Sequence, residues 1–247
     1  MERWNNRVAV ITGASSGIGA SLAENLVKHG LIVVALARRI DRVEHIKSKL
    51  SPNEQGRFHV KFCDVSNEAS VSEVFSWICS TLGGVDVLIN NAGVHKDGFL
   101  ATMDLKDIQT VVNTNLMGVV YCTQAAVKSM RERNFDGHIF LINSVLGHNV
   151  KRLGDTVANI YPATKFGLTA INEILRQEFN ILKSKIKITS ISPGLVDTEM
   201  PDPVFLSMMK DSLLKAQDIT DGILYALGTP PHVQVHELTL RPVGELF

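Results

Sequence analysis

The sequence predicts an α/β protein built on a doubly wound, seven-stranded parallel sheet with helices on both faces. Short β-rich runs alternate with helical patterns along the whole chain, as repeated βα units require. Several of these runs, VVALA at 33–37 and IFLIN at 139–143 among them, are apolar at successive residues, which suits strands covered on both faces. A chain of 247 residues that is 45% apolar can bury one sizeable core, so a single domain over 1–247 is expected.

Strands are expected at Val8–Thr12, Ile32–Ala37, Phe58–Cys63, Val85–Asn90, His138–Asn143, Lys187–Ser192 and Val233–Leu240. Two helical stretches between them are long, about Leu105–Arg133 and Tyr161–Leu182, the second with Phe166, Thr169, Leu175 and Phe179 near helical spacing. Either stretch can cover the sheet or meet a second copy of the chain. The pattern is least regular from Glu199 to Gln217, where Pro201, Pro203, Phe205, Leu206, Met208 and Met209 suit either core packing or a mobile substrate lid.

The 25 acidic and 25 basic residues are interspersed and cancel, so no electrostatic footprint points to nucleic acid or to an anionic membrane. The Met1–Arg7 segment is polar and leads straight into a strand, unlike a secretory signal. No apolar run approaches the roughly 18 residues of a membrane span. A cytoplasmic protein without stable membrane insertion is expected. Cys63, Cys79 and Cys122 are odd in number, widely spaced and free of CxxC pairs, which reads as buried reduced thiols and no metal site.

The first strand ends in Thr12-Gly13-Ala14-Ser15-Ser16-Gly17-Ile18-Gly19, and a helical pattern with Leu22, Ala23, Leu26 and Val27 begins at once. Glycines at such a turn let the backbone approach a pyrophosphate, whose charge a helix N-terminus favours. After the second strand, where an NAD site carries an acidic residue for the ribose 2′-hydroxyl, the chain reads Ala37-Arg38-Arg39. Two guanidinium groups suit a 2′-phosphate. NADP(H) is therefore expected over NAD(H), with Asp41 able to neutralise part of the charge.

Tyr161-Pro162-Ala163-Thr164-Lys165 sets a phenol and an ammonium four residues apart, on one face of a helix. A tyrosine near pKa 10 is a poor base at neutral pH, and lowering it by about three units takes roughly 4 kcal/mol of preferential phenolate stabilisation. A nearby lysine and a nicotinamide cation can supply much of that in a water-poor cleft. Ser144 follows the fifth strand and Asn115 lies in Asn113-Thr114-Asn115-Leu116, both at the sheet edge where α/β active sites collect.

Taken in order, TGASSGIG, Asn90-Asn91-Ala92-Gly93, Asn115, Ser144, YPATK and Ser192-Pro193-Gly194 resemble the short-chain dehydrogenase/reductase family over nearly the whole chain. The resemblance implies a Rossmann-type fold in which Tyr161 is the general acid/base and Ser144 orients the substrate oxygen. It implies that Lys165 binds the nicotinamide ribose and lowers the Tyr161 pKa, and that Asn115 anchors a water relaying protons to Lys165. Hydride transfer belongs to the cofactor. Besides Tyr161 and Lys165, the implied cofactor contacts are Gly13, Ser15, Ser16, Gly17, Ile18 and Gly19 at the turn, and Arg38 and Arg39 at the 2′-phosphate. Asp64 and Val65 would flank the adenine, Asn91 would lie beside its ribose, and Pro193, Gly194, Val196 and Thr198 would meet the carboxamide side. A homodimer or homotetramer is implied as well.

Within the family, residues 1–19, 131–134, 143–148 and 229–234 resemble the branch of insect farnesol dehydrogenases and vertebrate keto-steroid reductases. The substrate expected is a small apolar alcohol or its carbonyl, such as an isoprenoid. Steroid or xenobiotic ketones are the alternative, and a non-catalytic NADP(H) sensor is the remote one. Ser144 and Tyr161 stand seventeen residues apart, more than is usual in the family, which lengthens the loop Leu146–Asn159. His148, Lys151, Arg152 and Asp155 on that loop are expected to be solvated.

Overall fold

The strands of the computed structural model are β1 (Val8–Thr12), β2 (Ile32–Ala37), β3 (Phe58–Phe62), β4 (Val87–Asn90), β5 (His138–Ile142), β6 (Lys187–Pro193) and β7 (Glu237–Leu240). They form one parallel sheet in the order β3-β2-β1-β4-β5-β6-β7. The helices are α1 (Gly17–Lys28), α2 (Ile40–Ser48), α3 (Pro52–Gln55), α4 (Glu68–Leu82), α5 (Leu105–Val112), α6 (Gly118–Glu132), α7 (Tyr161–Ile181) and α8 (Ala216–Gly228). The structure describes residues 1–150, 159–201, 206–207, 209 and 212–245.

Successive strand residues point to opposite faces, and this sorts the core in two. Ile11, Ala35, Ile89 and Phe140 face α1, α2 and α8, represented by Leu22, Leu26, Val43 and Ile223. Val10, Val34, Leu88 and Leu141 face α4, α6 and α7, represented by Phe75, Ile78, Met130 and Leu168. Burial on both sides is why the strands read as continuous apolar runs. Helix ends follow local chemistry: Asn67 caps α4 through the Ser70 amide, and α4 stops at Gly83 with φ +82°.

The structure departs from the sequence expectation mainly at element ends. The last strand begins at Glu237 rather than Val233, where side chains take the carbonyls: Lys187 Nζ donates to Val233 and Thr189 Oγ1 to Val235 at 2.6 Å. The stretch expected as one regular helix from Leu105 is broken by a π-helical turn at Asn113–Met117. On α7, Phe179 is buried with Leu168, and Thr169 and Leu175 are half-buried as the expected face requires, while Phe166 is exposed. Cys79 is exposed, whereas Cys63 and Cys122 are buried and burial pushes their thiols up. Among the described residues, no helix is long and apolar enough to cross a membrane.

His138 on β5 is fully buried, with Nε2 2.8 Å from Thr189 Oγ1 and its ring stacked on Phe140. Burial, then the charge of Lys187, holds its pKa well below the ordinary imidazole value. The unfolded chain takes up a proton below about pH 6.5 that the folded chain refuses, so stability falls as pH drops through that value. The urea midpoint should fall less steeply between pH 7.5 and 5 in His138→Gln than in the parent. Equal slopes would refute that assignment.

Candidate active site

The site is assembled where β1 and β4 end side by side. Thr12 Oγ1, closing β1, accepts from the Asn91 and Ala92 amides at 3.0 Å each. Asn91 Nδ2 donates in return to the Thr12 and Gly13 carbonyls at 2.8 and 3.1 Å. Asn91, expected beside a ribose, thus has its amide on the glycine turn as a brace. Gly13 and Gly17 have φ of +67° and +54°, the left-handed region that favours glycine. A Cβ on Gly19 would lie 2.4 Å from the Gly13 carbonyl oxygen and 2.5 Å from Asn91 Nδ2. Ile18 anchors the turn by packing against the core. The resulting cradle, at the head of a helix, fits the diphosphate of a dinucleotide.

Arg39 lies over this turn, with Nη2 donating to Ser15 Oγ and Ser16 Oγ at 3.1 and 3.0 Å. Arg38 is exposed beside it. The sequence reading overlooked Arg42, although it falls three and four residues beyond these two at the start of α2, a spacing that puts side chains on one helix face. Asp64 Oδ1 accepts from the Ser66 amide and hydroxyl at 3.1 and 2.7 Å, and Val65 is buried against Gly118. Beyond Pro193, the Gly194 amide donates to Leu240 at 2.7 Å, Val196 pairs with Leu214, and Thr198 rests its methyl on Gly17. The segment after β6 therefore lies across the mouth of the turn.

Asn115 sits buried in the π-turn, where its Oδ1 accepts from the Val94 amide at 2.8 Å and its Nδ2 donates to the Val94 carbonyl at 2.9 Å. This pair pins the loop after β4. Ser144 follows β5, and its Oγ accepts from the Leu146 amide at 3.1 Å and lies near enough to the Tyr161 hydroxyl to pull its pKa down. Asn159, with φ +39°, accepts from the Tyr161 amide at 3.1 Å and starts α7. Lys165 is buried one turn on, its Nζ donating to the Ile142 carbonyl at 2.7 Å and lying 5.5 Å from the Tyr161 ring centroid. The His95 ring meets that of Tyr161 edge-on at 5.7 Å, a contact with no signal in the sequence.

Tyr161 keeps some solvent exposure, but its phenol is surrounded by protein. Burial pushes it up to about 12, against the downward pull of the Ser144 hydrogen bond. Burial brings Lys165 down to about 7. Burial is the largest cause of both shifts, because desolvation disfavours the charged form of either group. His148, expected in solvent, has Nε2 3.0 Å from Ser192 Oγ and 3.1 Å from Glu237 Oε1. Lys151, Arg152, Asp155, Phe205 and Met208 lie outside the described residues.

Residues 7–207 match the model of the short chain dehydrogenase family. The chain is 49% identical over 249 residues to a farnesol dehydrogenase of Aedes aegypti, with both chains covered completely. It is 41% identical over 256 residues to dehydrogenase/reductase SDR family member 11 of Gallus gallus, again over the whole of both. A closed form of serine dehydrogenase complexed with NADP+ superposes with a TM-score of 0.86 at 27% identity, covering 97% of this chain and 96% of that one. An alcohol dehydrogenase of Thermococcus sibiricus complexed with 5-hydroxy-NADP gives 0.82 at 28%, covering 97% of each.

Gly19→Ala should dislodge the Asn91 brace and weaken dinucleotide binding at least about tenfold, since a tenfold loss of affinity needs only about 1.4 kcal/mol. Titration of nucleotide fluorescence would measure it, and unchanged binding would contradict the role given to the cradle.

Proposed function

The chain belongs to the short-chain dehydrogenase/reductase family, and on that premise we propose an NADP(H)-dependent enzyme that interconverts an apolar alcohol with its aldehyde or ketone. The observation that carries this reading is the grouping of Ser144, Tyr161 and buried Lys165 beside the glycine turn, with Lys165 Nζ 5.5 Å from the Tyr161 ring centroid. NADP(H) bound there would supply or accept the hydride. Arg38 and Arg39 would hold the 2′-phosphate, and Lys165 the nicotinamide ribose.

Ser144 orients the substrate oxygen, and Tyr161 exchanges a proton with it. A phenol raised to about 12 is protonated at neutral pH and ready to donate to a carbonyl oxygen during reduction. For oxidation it must accept a proton instead, which a cation close by favours by opposing desolvation. Asn115 holds the loop at Val94 and anchors the water that reaches Lys165.

Farnesol or a related isoprenoid is the substrate we favour. The reading draws on the Aedes relative, whose name carries that activity, and on the apolar Leu206 and Met209, both half-buried. We further assign residues 1–247 to one catalytic domain acting in the cytoplasm as a homodimer or homotetramer. The groove between α6 and α7, about 560 Å³ and lined by Val127, Arg131, Leu175, Phe179 and Leu182, supports such pairing, as do exposed Ile174 and Ile181 nearby.

Tyr161→Phe should lose at least about a hundredfold in kcat while binding NADP(H) as the parent does; near-normal turnover would end the mechanism. In a panel of prenols, keto-steroids and small polar sugars assayed with both cofactors, prenols with NADP+ should turn over fastest. Activity confined to sugars would remove the apolar substrate, and preference for NAD+ would remove the cofactor assignment.

A further inference from the structure

Glu199 stands next to Thr198 and reaches the arginines over the glycine turn. Its Oε1 and Oε2 accept from Arg42 Nη1 at 2.7 and 2.8 Å, and Oε2 accepts from Arg39 Nη1 at 3.1 Å. The same Arg39 guanidinium holds the Ser15 and Ser16 hydroxyls. The hydrogen bond from Arg42, then that from Arg39, keeps the Glu199 carboxyl below the usual carboxylate range, so it is ionised at neutral pH. Two guanidinium groups closed on one oxyanion are the recognition chemistry of a phosphate. Here the oxyanion belongs to the chain.

We propose that Glu199 stands in for the cofactor 2′-phosphate and competes with it for Arg39 and Arg42. The inference rests on the NADP(H) reading above. The three side chains are 43–56% exposed, so a phosphate arriving from solvent can reach them and the internal pair is weak enough to exchange. A phosphorylated dinucleotide displaces Glu199 from Arg39, whereas an unphosphorylated one leaves the pair in place. Because Glu199 directly follows the segment that lies across the turn through Thr198 and Gly17, its release couples recognition at the adenosine end to the chain bordering the nicotinamide end. Glu199 is thereby a specificity-determining residue that makes part of the phosphate's binding energy depend on freeing this segment.

The test compares two ligands that differ only by that phosphate, adenosine 2′,5′-bisphosphate and 5′-AMP, by calorimetric titration at low ionic strength with the parent and Glu199→Gln. The parent should prefer the bisphosphate, and the variant should raise the affinity ratio about threefold to tenfold, as expected for removing a competitor held by two partly exposed ion pairs. The 5′-AMP affinity serves as the check that the variant is folded. A parent that binds both ligands equally would overturn the NADP(H) reading and the inference with it. A parent with the preference but a variant with the same ratio would overturn the role of Glu199 alone. A lower ratio in the variant would mean that Glu199 clamps the bound phosphate, the opposite of competition.

Discussion

The seam between β1 and β4 is the constraint on which the rest of the molecule depends. These strands are far apart in the chain yet pair in parallel, Ala9 against Val87 through Ile11 against Ile89. Their ends are tied by Thr12 and Asn91, each serving the other's backbone. From this seam the chain builds toward β3 on one side and toward β7 on the other. Connections that leave in opposite directions cannot fill the space between them, so a crevice at the carboxyl ends follows from topology. The glycine turn borders it from β1, the loop pinned by Asn115 borders it from β4, and Ser144 and Lys165 gather at the end of β5.

Burial reverses an ordinary chemical order there. In water a lysine ammonium and a phenol give up protons at similar pH, near 10. Inside the cleft the phenol is raised to about 12 and the ammonium lowered to about 7, because desolvation penalises whichever form carries charge. Lys165 nevertheless keeps a firm position through the Ile142 carbonyl. The geometry of the pair is thus set by the sheet, while its charge state remains open to whatever enters the cleft.

Strand centres were legible in the sequence because burial on both faces leaves continuous apolar runs, as at Ile32–Ala37. The start of the last strand was not, since it depends on which distant groups take the carbonyls, as Lys187 does at Val233. The order of motifs along the chain placed Ser144, Tyr161 and Lys165 at one sheet edge, and the structure brings those three together. Partners far apart in sequence escaped: Glu199 lies 160 residues from Arg39, and His148 lies 89 from Glu237. Asn91 was legible as part of a motif but not as the brace of a turn, because that task appears only once β1 and β4 are adjacent. Arg42 could have been found from its helical spacing to Arg38 and Arg39.

The π-helical turn at Asn113–Met117 closes with the Gly118 amide on the Asn113 carbonyl, five residues back. A π-turn accommodates one residue more than an α-turn does. The helices on either side therefore keep separate phases: Val111 on α5 and Val119, Cys122, Ala126 and Met130 on α6 are all buried, while Asn115 turns inward between them. Length in this stretch behaves like a reading frame. Losing a single residue would let the helix close regularly, and the chain would then have to give up either the inward amide at 115 or the packing of everything that follows it on the sheet.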